Sequence, residues 1–326
     1  MKRLVPTLIL VVICIAGFWY ASAHDFFREP KEEPVPLVAV SKDDVQSFTI
    51  KNNDENSGDA ALITLEKKDG AWTMTQPASY PLNSYGADSW VNAIIAVKGD
   101  KKLEDDPSNL AEYGLDKPKL EYTVTLKDGS VKKLFVGNTT PIPEYMFVKT
   151  SDSPAVYQAS LELLNPLKKE PFDFLEKSPF QFEYNKLKVL TVEWGGKQWT
   201  LTKKDPSKMG YESEWKLGDL DLSASDGSSF LDRMINISTS SMVRKASEVN
   251  TEGAELKVSI IEEKDGKDIP STYLGKIDAN QNDIWIVKQG GDWAYVIPVA
   301  TAQNLYDKAD EIRSKVEQEK NSENSQ

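Results

Sequence analysis

Catalysis near neutral pH needs a side chain that can gain and lose a proton there, and this chain carries few of them. Its 326 residues include one Cys, Cys14, and one His, His24, both close to the N-terminus. A single Cys cannot form an intrachain disulfide. A Cys/His zinc site needs three or four such ligands, so it is excluded. A Ser-His-Asp or Cys-His device cannot be built in the region that follows. Only carboxylates, Lys and Tyr remain for acid/base work. The formal net charge is -12, from 51 acidic and 39 basic residues. Phosphate backbones would repel such a chain, which excludes nucleic acid as an expected partner. The lysines of Lys98–Lys102 form no basic patch, because Asp100 interrupts them and Glu104, Asp105 and Asp106 follow.

The acids that cluster are read against simpler roles. Glu104-Asp105-Asp106 has the composition of a metal or carboxylate site, but adjacent acids in a Pro-containing loop are ordinarily solvated. Asp278-Ala279-Asn280-Gln281-Asn282 opens like a calcium loop. Asp283 then stands where that loop needs Gly, and Gln289 where it needs a bidentate Glu. Asp69, Asp128, Asp152 and Asp265 fall in turns. Glu193 falls in a strand, on the face opposite Leu190, Val192 and Trp194. No buried pair of facing carboxylates at the separation glycosidases use, up to about 10 Å, is therefore expected. Trp72, Trp90, Trp194, Trp199, Trp215 and Trp285 fit core positions better than a carbohydrate platform. There is no G-x-x-x-x-G-K-[ST] or G-x-G-x-x-G sequence to cradle a phosphate. The reading assigns no catalytic, cofactor-binding or metal residues, no cofactor, and no particular binding surface.

The elements that hold these residues begin with an apolar segment. Lys2 and Arg3 precede Leu4–Ala23, which carries no charge. At about 1.5 Å per residue this segment matches a bilayer core of about 30 Å. The positive end predicts a cytoplasmic N-terminus and an extracytoplasmic remainder, with Phe18, Trp19 and Tyr20 at the outer interface. Residues 1–23 are thus a transmembrane anchor or a signal peptide. Ala21-Ser22-Ala23 would permit cleavage and secretion after Ala23, but the length favours an uncleaved anchor. A lipoprotein through Cys14 is disfavoured by the bulky Ile13 before it. Residues 24–37, rich in Pro and Glu, read as a stiff solvated stalk.

Beyond residue 37 the chain resembles itself. Val148-Lys149 matches Val287-Lys288, Ala155 matches Ala294, and Gly137 matches Gly275. Trp90-Val91 and Ile94-Ile95 match Phe230-Leu231 and Met234-Ile235, and Trp72 matches Trp215. All lie about 140 residues apart and in one order. This predicts a duplication, with repeat one over 38–178, repeat two over 179–313, and a polar tail over 314–326. Each copy opens with a strand and a hairpin. In the first copy the hairpin turns at Asp69-Gly70, a type I′ dipeptide. A helix follows, capped at Asn83 or Ser84 in copy one and preceded by Ser225 in copy two. Alternating strands come next, then a helix from near Ser160 in copy one and from about Ala300 to Lys315 in copy two. The fold class predicted is α+β: an N-terminal transmembrane helix, then two tandem repeats of an antiparallel sheet with helices on one face.

Trp72 to Pro77, the Trp90–Ile95 stripe, Asn109-Leu110-Ala111-Glu112-Tyr113-Gly114-Leu115-Asp116-Lys117-Pro118 and Val136-Gly137 together resemble the bacterial domain of unknown function 4340. The resemblance covers repeat one well and repeat two loosely, since repeat two lacks the Tyr-Gly-Leu-x-x-Pro sequence. It implies a membrane-anchored protein of the cell envelope, often linked to ABC-type transport systems including those of the gliding-motility type. It carries no catalytic residues. On the residues alone, Leu110–Tyr113 is a helical turn, Gly114 its left-handed stop, and Leu115 a core residue. The function expected is a non-catalytic extracytoplasmic binding or scaffold subunit of an envelope complex, with an ABC-type permease as the suspected partner. An envelope hydrolase using two carboxylates and a glycan-binding module are the alternatives.

Overall fold

The computed structural model describes residues 5–23, 33–53 and 62–323, with the side chains of the terminal helices described over 10–23 and up to 318. Lys2, Arg3, Leu4, His24, residues 24–32 of the stalk and the last three residues lie outside these ranges. The chain divides into two compact units, one built mainly from residues before Lys169 and the other mainly from Glu170 onward.

The first unit contains α1 (Val5–Ala23), β1 (Val35–Pro36), β2 (Val45–Asn52), β3 (Leu62–Lys68) and β4 (Ala71–Gln76). Then come α2 (Ser84–Ala96), β5 (Lys98–Gly99), β6 (Lys101–Glu104), β7 (Leu120–Leu126), β8 (Val131–Thr139), β9 (Tyr145–Thr150), β10 (Ser153–Ser160) and α3 (Leu161–Leu164). The short segments at the unit boundary, including β4 and the first turn of α2, divide between the units. Eight strands pair in the order β4-β3-β2-β7-β8-β9-β10-β6. Alternation selects the buried face: Phe48, Ile50, Ile63, Leu65, Tyr122, Val124, Leu134, Val136 and Val148 point one way. Trp90 of α2 covers them, stacked on Phe48 at 4.1 Å and edge-on to Tyr122 at 6.0 Å. The expected stripe is buried at Trp90, Val91 and Ile94, while Ile95 is only half-buried.

The second unit contains β11 (Leu187–Trp194), β12 (Lys197–Lys203), β13 (Trp215–Leu217), β14 (Leu220–Leu222) and α4 (Ala224–Ile235). It continues through β15 (Arg244–Lys245), β16 (Leu256–Lys264), β17 (Lys267–Ile277), β18 (Asp283–Lys288), β19 (Trp293–Pro298) and α5 (Val299–Glu323). The strand order is β14-β13-β12-β11-β16-β17-β18-β19-β15. With β2 set against β11, this is the order of the first sheet with β14 added. Each matched pair of residues falls in elements of the same rank, for example Trp72 in β4 and Trp215 in β13, or Val148 in β9 and Val287 in β18. All strand pairings described are antiparallel, so the chain is α+β with two large antiparallel sheets and an N-terminal helix.

Local chemistry accounts for most boundaries. Asp69 and Gly70 both take positive φ, 51° and 83°, as a type I′ turn requires. Asn83 caps α2, its Oδ1 accepting from the Tyr85 amide at 3.0 Å. In α4 the cap is Ser223, and Ser225, expected to precede the helix, lies in its first turn. The Ser223 Oγ accepts from the Asp226 amide and donates to the Asp226 carboxylate, a reciprocal pair that starts the helix earlier. The helix after Ser160 lasts one turn before Pro166 ends it.

Two expectations need correction. The stalk predicted over 24–37 ends earlier, because Val35–Pro36 pairs with Lys98–Gly99 and the Leu37 amide donates to Val97 O at 3.1 Å. The polar tail predicted over 314–326 is helical to Glu323, since buried Val316 and the Lys315–Asp226 ion pair extend the packed face of α5. As for the anchor, no helix among the described residues is long and apolar enough to cross a membrane.

Candidate functional site

The acids singled out in the sequence do not assemble into a centre. Glu104 accepts from the Tyr113 hydroxyl at 2.6 Å, while Asp105 pairs with Lys102 at 2.7 Å. In the loop from Asp278 the polar atoms turn inward. Asn280 Oδ1 accepts from the Asn282 and Asp283 amides, and Asp278 accepts from its neighbour Ala279 and from Trp285 Nε1. These are turn bonds that a bound calcium would have to break. Asp69 and Asp265 occupy positive-φ turn positions. Glu193 lies half-buried on the face away from the core. Among the described residues no group of three or more His, Cys, Asp and Glu side chains is placed to hold a metal ion.

The Tyr-Gly-Leu motif is structural. Leu110–Tyr113 forms a 3-10 turn and Gly114 ends it with φ 64°. The Tyr113 ring meets Phe147 edge-on at 5.0 Å, on the sheet face away from α2, and Leu115 is buried. A Cβ on Gly137 would lie 2.1 Å from the Tyr113 carbonyl oxygen, so Gly137 is what lets the motif dock on β8. In the second unit Ala246–Glu248 makes the corresponding 3-10 turn, and Val249 packs with Trp285, Ala294 and Val296. That equivalence was hidden because the two turns share geometry without sharing residues.

Two recesses are lined by charged side chains. One, of about 450 Å³, holds Asp43 and Asp69 beside Lys67 and Lys127. Another, of about 270 Å³, holds Asp173 and Glu176 beside Lys177. The sequence reading expects no facing pair of buried carboxylates, yet here acids do share a recess. Asp43, Asp69 and Asp173 are exposed, with a lysine in each recess. Every carboxylate with a displaced pKa is displaced downward. Asp128 and Asp152 are held down mainly by hydrogen bonds from Ser130 and Lys132, and Asp205 by one from Ser207. For Asp226 and Glu255, burial pushes upward and hydrogen bonds outweigh it.

The site with the most construction lies in the second unit, where α4 runs beside α5. A groove of about 410 Å³ is lined by Ser229, Asp232, Arg233, Asn236, Ile237, Thr301 and Asn304. Asp232 accepts from the Tyr184 hydroxyl at 2.8 Å, and Arg233 reaches Glu311 at 3.4 Å. Burial, then the Asp232 hydrogen bond, pushes the Tyr184 phenol up to about 12, so it stays a donor. One carboxylate, one guanidinium, two amides and two hydroxyls suit recognition of a polar surface better than proton transfer.

Tyr184 joins this groove to a second feature. Its ring packs against Gly210, where a Cβ would lie 2.7 Å away. Gly210 belongs to the excursion between β12 and β13, where the first unit has only the Asp69-Gly70 turn. Lys203, 4% exposed, sits beneath it. Its ammonium donates to Asn185 O at 3.0 Å and to Lys208 O. Burial pushes the Lys203 pKa down, opposed by the charges of Asp205 and Glu263. The Gly210 amide donates to Asn185 Oδ1, and Trp215 Nε1 donates to Gly210 O at 3.0 Å. Sequence reading missed this site. The one available signal was the excess length of the second β-hairpin connection over the first.

No curated protein and no solved structure matches this chain. A family match covers residues 72–226, from β4 to the first turn of α4. That segment, which holds the Tyr113-Gly114-Leu115 turn and its Gly137 seat, matches the family described as Domain of unknown function (DUF4340).

Proposed function

We propose that this protein is a non-catalytic binding or scaffold subunit of a membrane-associated envelope complex, held by residues 1–23 as an uncleaved anchor and built from two tandem copies of one α+β repeat. The observation that carries the reading is the surface of the second unit: a polar groove next to a loop fixed by hydrogen bonds and displaying apolar side chains. Such a surface recognises, and in its loop the hydrogen bond from Ser207 holds Asp205 below the ordinary carboxylate range. The matching strand orders support the duplication. The uncharged Leu4–Ala23 segment supports the anchor. An accessory role beside an ABC-type permease is the form that the family resemblance suggests.

The test is crosslinking in native membranes followed by purification of the full chain. Recovery of a transporter permease is the expected result. Hydrolysis of envelope glycans or peptides by the purified protein, lost when an acid such as Asp232 becomes its amide, would replace this reading with the two-carboxylate hydrolase.

A further inference from the structure

We infer that the groove between α4 and α5 in the second unit is a binding site for a primary alkylammonium group, with Asp232 as the residue that takes its charge. The inference deepens the binding reading above by naming what the groove holds. It rests on which polar atoms already have partners. On these two helices Asp226 pairs with Lys315, Asp310 with Arg313, and Glu311 with both Lys308 and Arg233. Asp232 has no cation within ion-pair distance among the described residues. Its Oδ1 accepts from the neutral Tyr184 hydroxyl at 2.8 Å, which fixes the carboxylate and leaves Oδ2 without a donor among those residues. Asp232 also stands in the last turn of α4, where the helix dipole disfavours a negative charge and favours a cation beside it.

The groups around it are acceptors too. Asn236 lies four residues on, along the same helix face, and its Nδ2 donates to Asp232 O at 2.7 Å, so its Oδ1 is left to accept. The Ser229 hydroxyl spends its proton on Asp226 O at 2.6 Å and can likewise only accept. Arg233, the cation lining the groove, is turned toward Glu311. A ligand here has to bring the donors, and an ammonium brings three of them with the charge that Asp232 lacks. Buried Ile237 gives the alkyl stem an apolar wall. The volume of about 410 Å³ is that of a small-molecule site, and one carboxylate is too few for calcium. A glycan fits less well, because the lining residues include no aromatic ring on which a sugar could stack.

The experiment titrates the purified full chain, in a neutral detergent, with n-pentylammonium and with pentan-1-ol and pentanoate as its uncharged and anionic counterparts. Pentylammonium is expected to bind at millimolar concentration or below, and the counterparts about tenfold more weakly. Asp232→Asn, which keeps the shape and the Tyr184 contact, should weaken pentylammonium by about tenfold. Asn304→Lys, which brings an ammonium of the chain's own to the groove, should do the same. Glu317→Gln, which removes an exposed acid outside the groove, should leave binding unchanged. No binding by the wild type, or undiminished binding by Asp232→Asn, overturns the site. An equal loss with Glu317→Gln also overturns it, as diffuse attraction to a chain of net charge -12. Tighter binding of spermidine assigns the ammonium to a free polyamine, and tighter binding of Nα-acetyl-lysine N-methylamide assigns it to a polypeptide side chain. Overturning the site leaves the scaffold reading to its own test, capture from membranes. Capture of no permease, with pentylammonium still bound, sinks that reading and leaves the site.

Discussion

Asp226 illustrates how a single acid in this protein is used. It lies in the first turn of α4, where a negative charge favours the helix N-terminus. Burial pushes its carboxyl up; Lys315 and Ser223, with the added charge of Lys308, push it down further, so the net pKa lies below the ordinary value. A lowered folded pKa stabilises the fold above the unfolded value of about 3.9 and is lost as pH falls through the folded value. Asp226→Ala should therefore cost about 1–3 kcal/mol at neutral pH, from the lost charged hydrogen bonds with Ser223 and Lys315. The difference should shrink once pH falls through the folded pKa of Asp226, which lies below the ordinary carboxylate range. Urea unfolding of both proteins at neutral pH and in acid checks this, and an undiminished gap in acid would show that packing, not charge, is responsible. The residue was overlooked in the sequence because its partner Lys315 is far along the chain, in a stretch whose polar composition reads as a tail.

At the scale of elements, two glycines set close contacts that propensity alone would misjudge. Gly227 lies inside α4, where Ala would ordinarily gain about 1 kcal/mol. A Cβ there would lie 2.0 Å from Trp215 Cδ1, in a core where Trp215 is fully buried. Overpacking costs about 1–3 kcal/mol and more when a ring must move. Gly227→Ala is accordingly expected to lower the stability of the second unit, and a rise in its melting temperature would show that Trp215 has room to shift. Gly137 poses the same problem in β8, but the obstacle is the backbone oxygen of Tyr113, which cannot rotate away. Gly137→Ala should detach the 110–115 turn, measurable as faster amide exchange at Gly114 and Leu115 with β7 still protected. Unchanged exchange at those amides would mean that the turn does not depend on its seat.

For the whole molecule the decisive property is attachment. The full chain should remain with membranes through a carbonate wash, and a chain beginning at Asp25 should be soluble and folded. A mature protein in the medium starting at His24 would assign cleavage after Ala23. The two sheets, alike in strand order, differ in what they display. The first joins β3 to β4 by a two-residue turn, while the second carries the loop over Lys203 and the extra strand β14.

The sequence by itself determined the elements. Alternation at Tyr122 and Val124 or Leu190 and Val192 defines strands, because a pleated strand buries every second side chain. The Trp90–Ile94 spacing defines a helix, and Asp69-Gly70 a turn, for equally local reasons. The absence of His and Cys beyond residue 24 was likewise readable without any structure. Only the tertiary structure decided what depends on residues distant in the chain. It brought Lys203 under the carbonyls of Asn185 and Lys208, Tyr184 between Asp232 and Gly210, and Lys315 onto Asp226. Burial and hydrogen bonding are set by packing across elements, and no local spacing encodes them. A lysine that ends a strand is solvated in β3, at Lys68, and buried beneath a loop in β12, at Lys203.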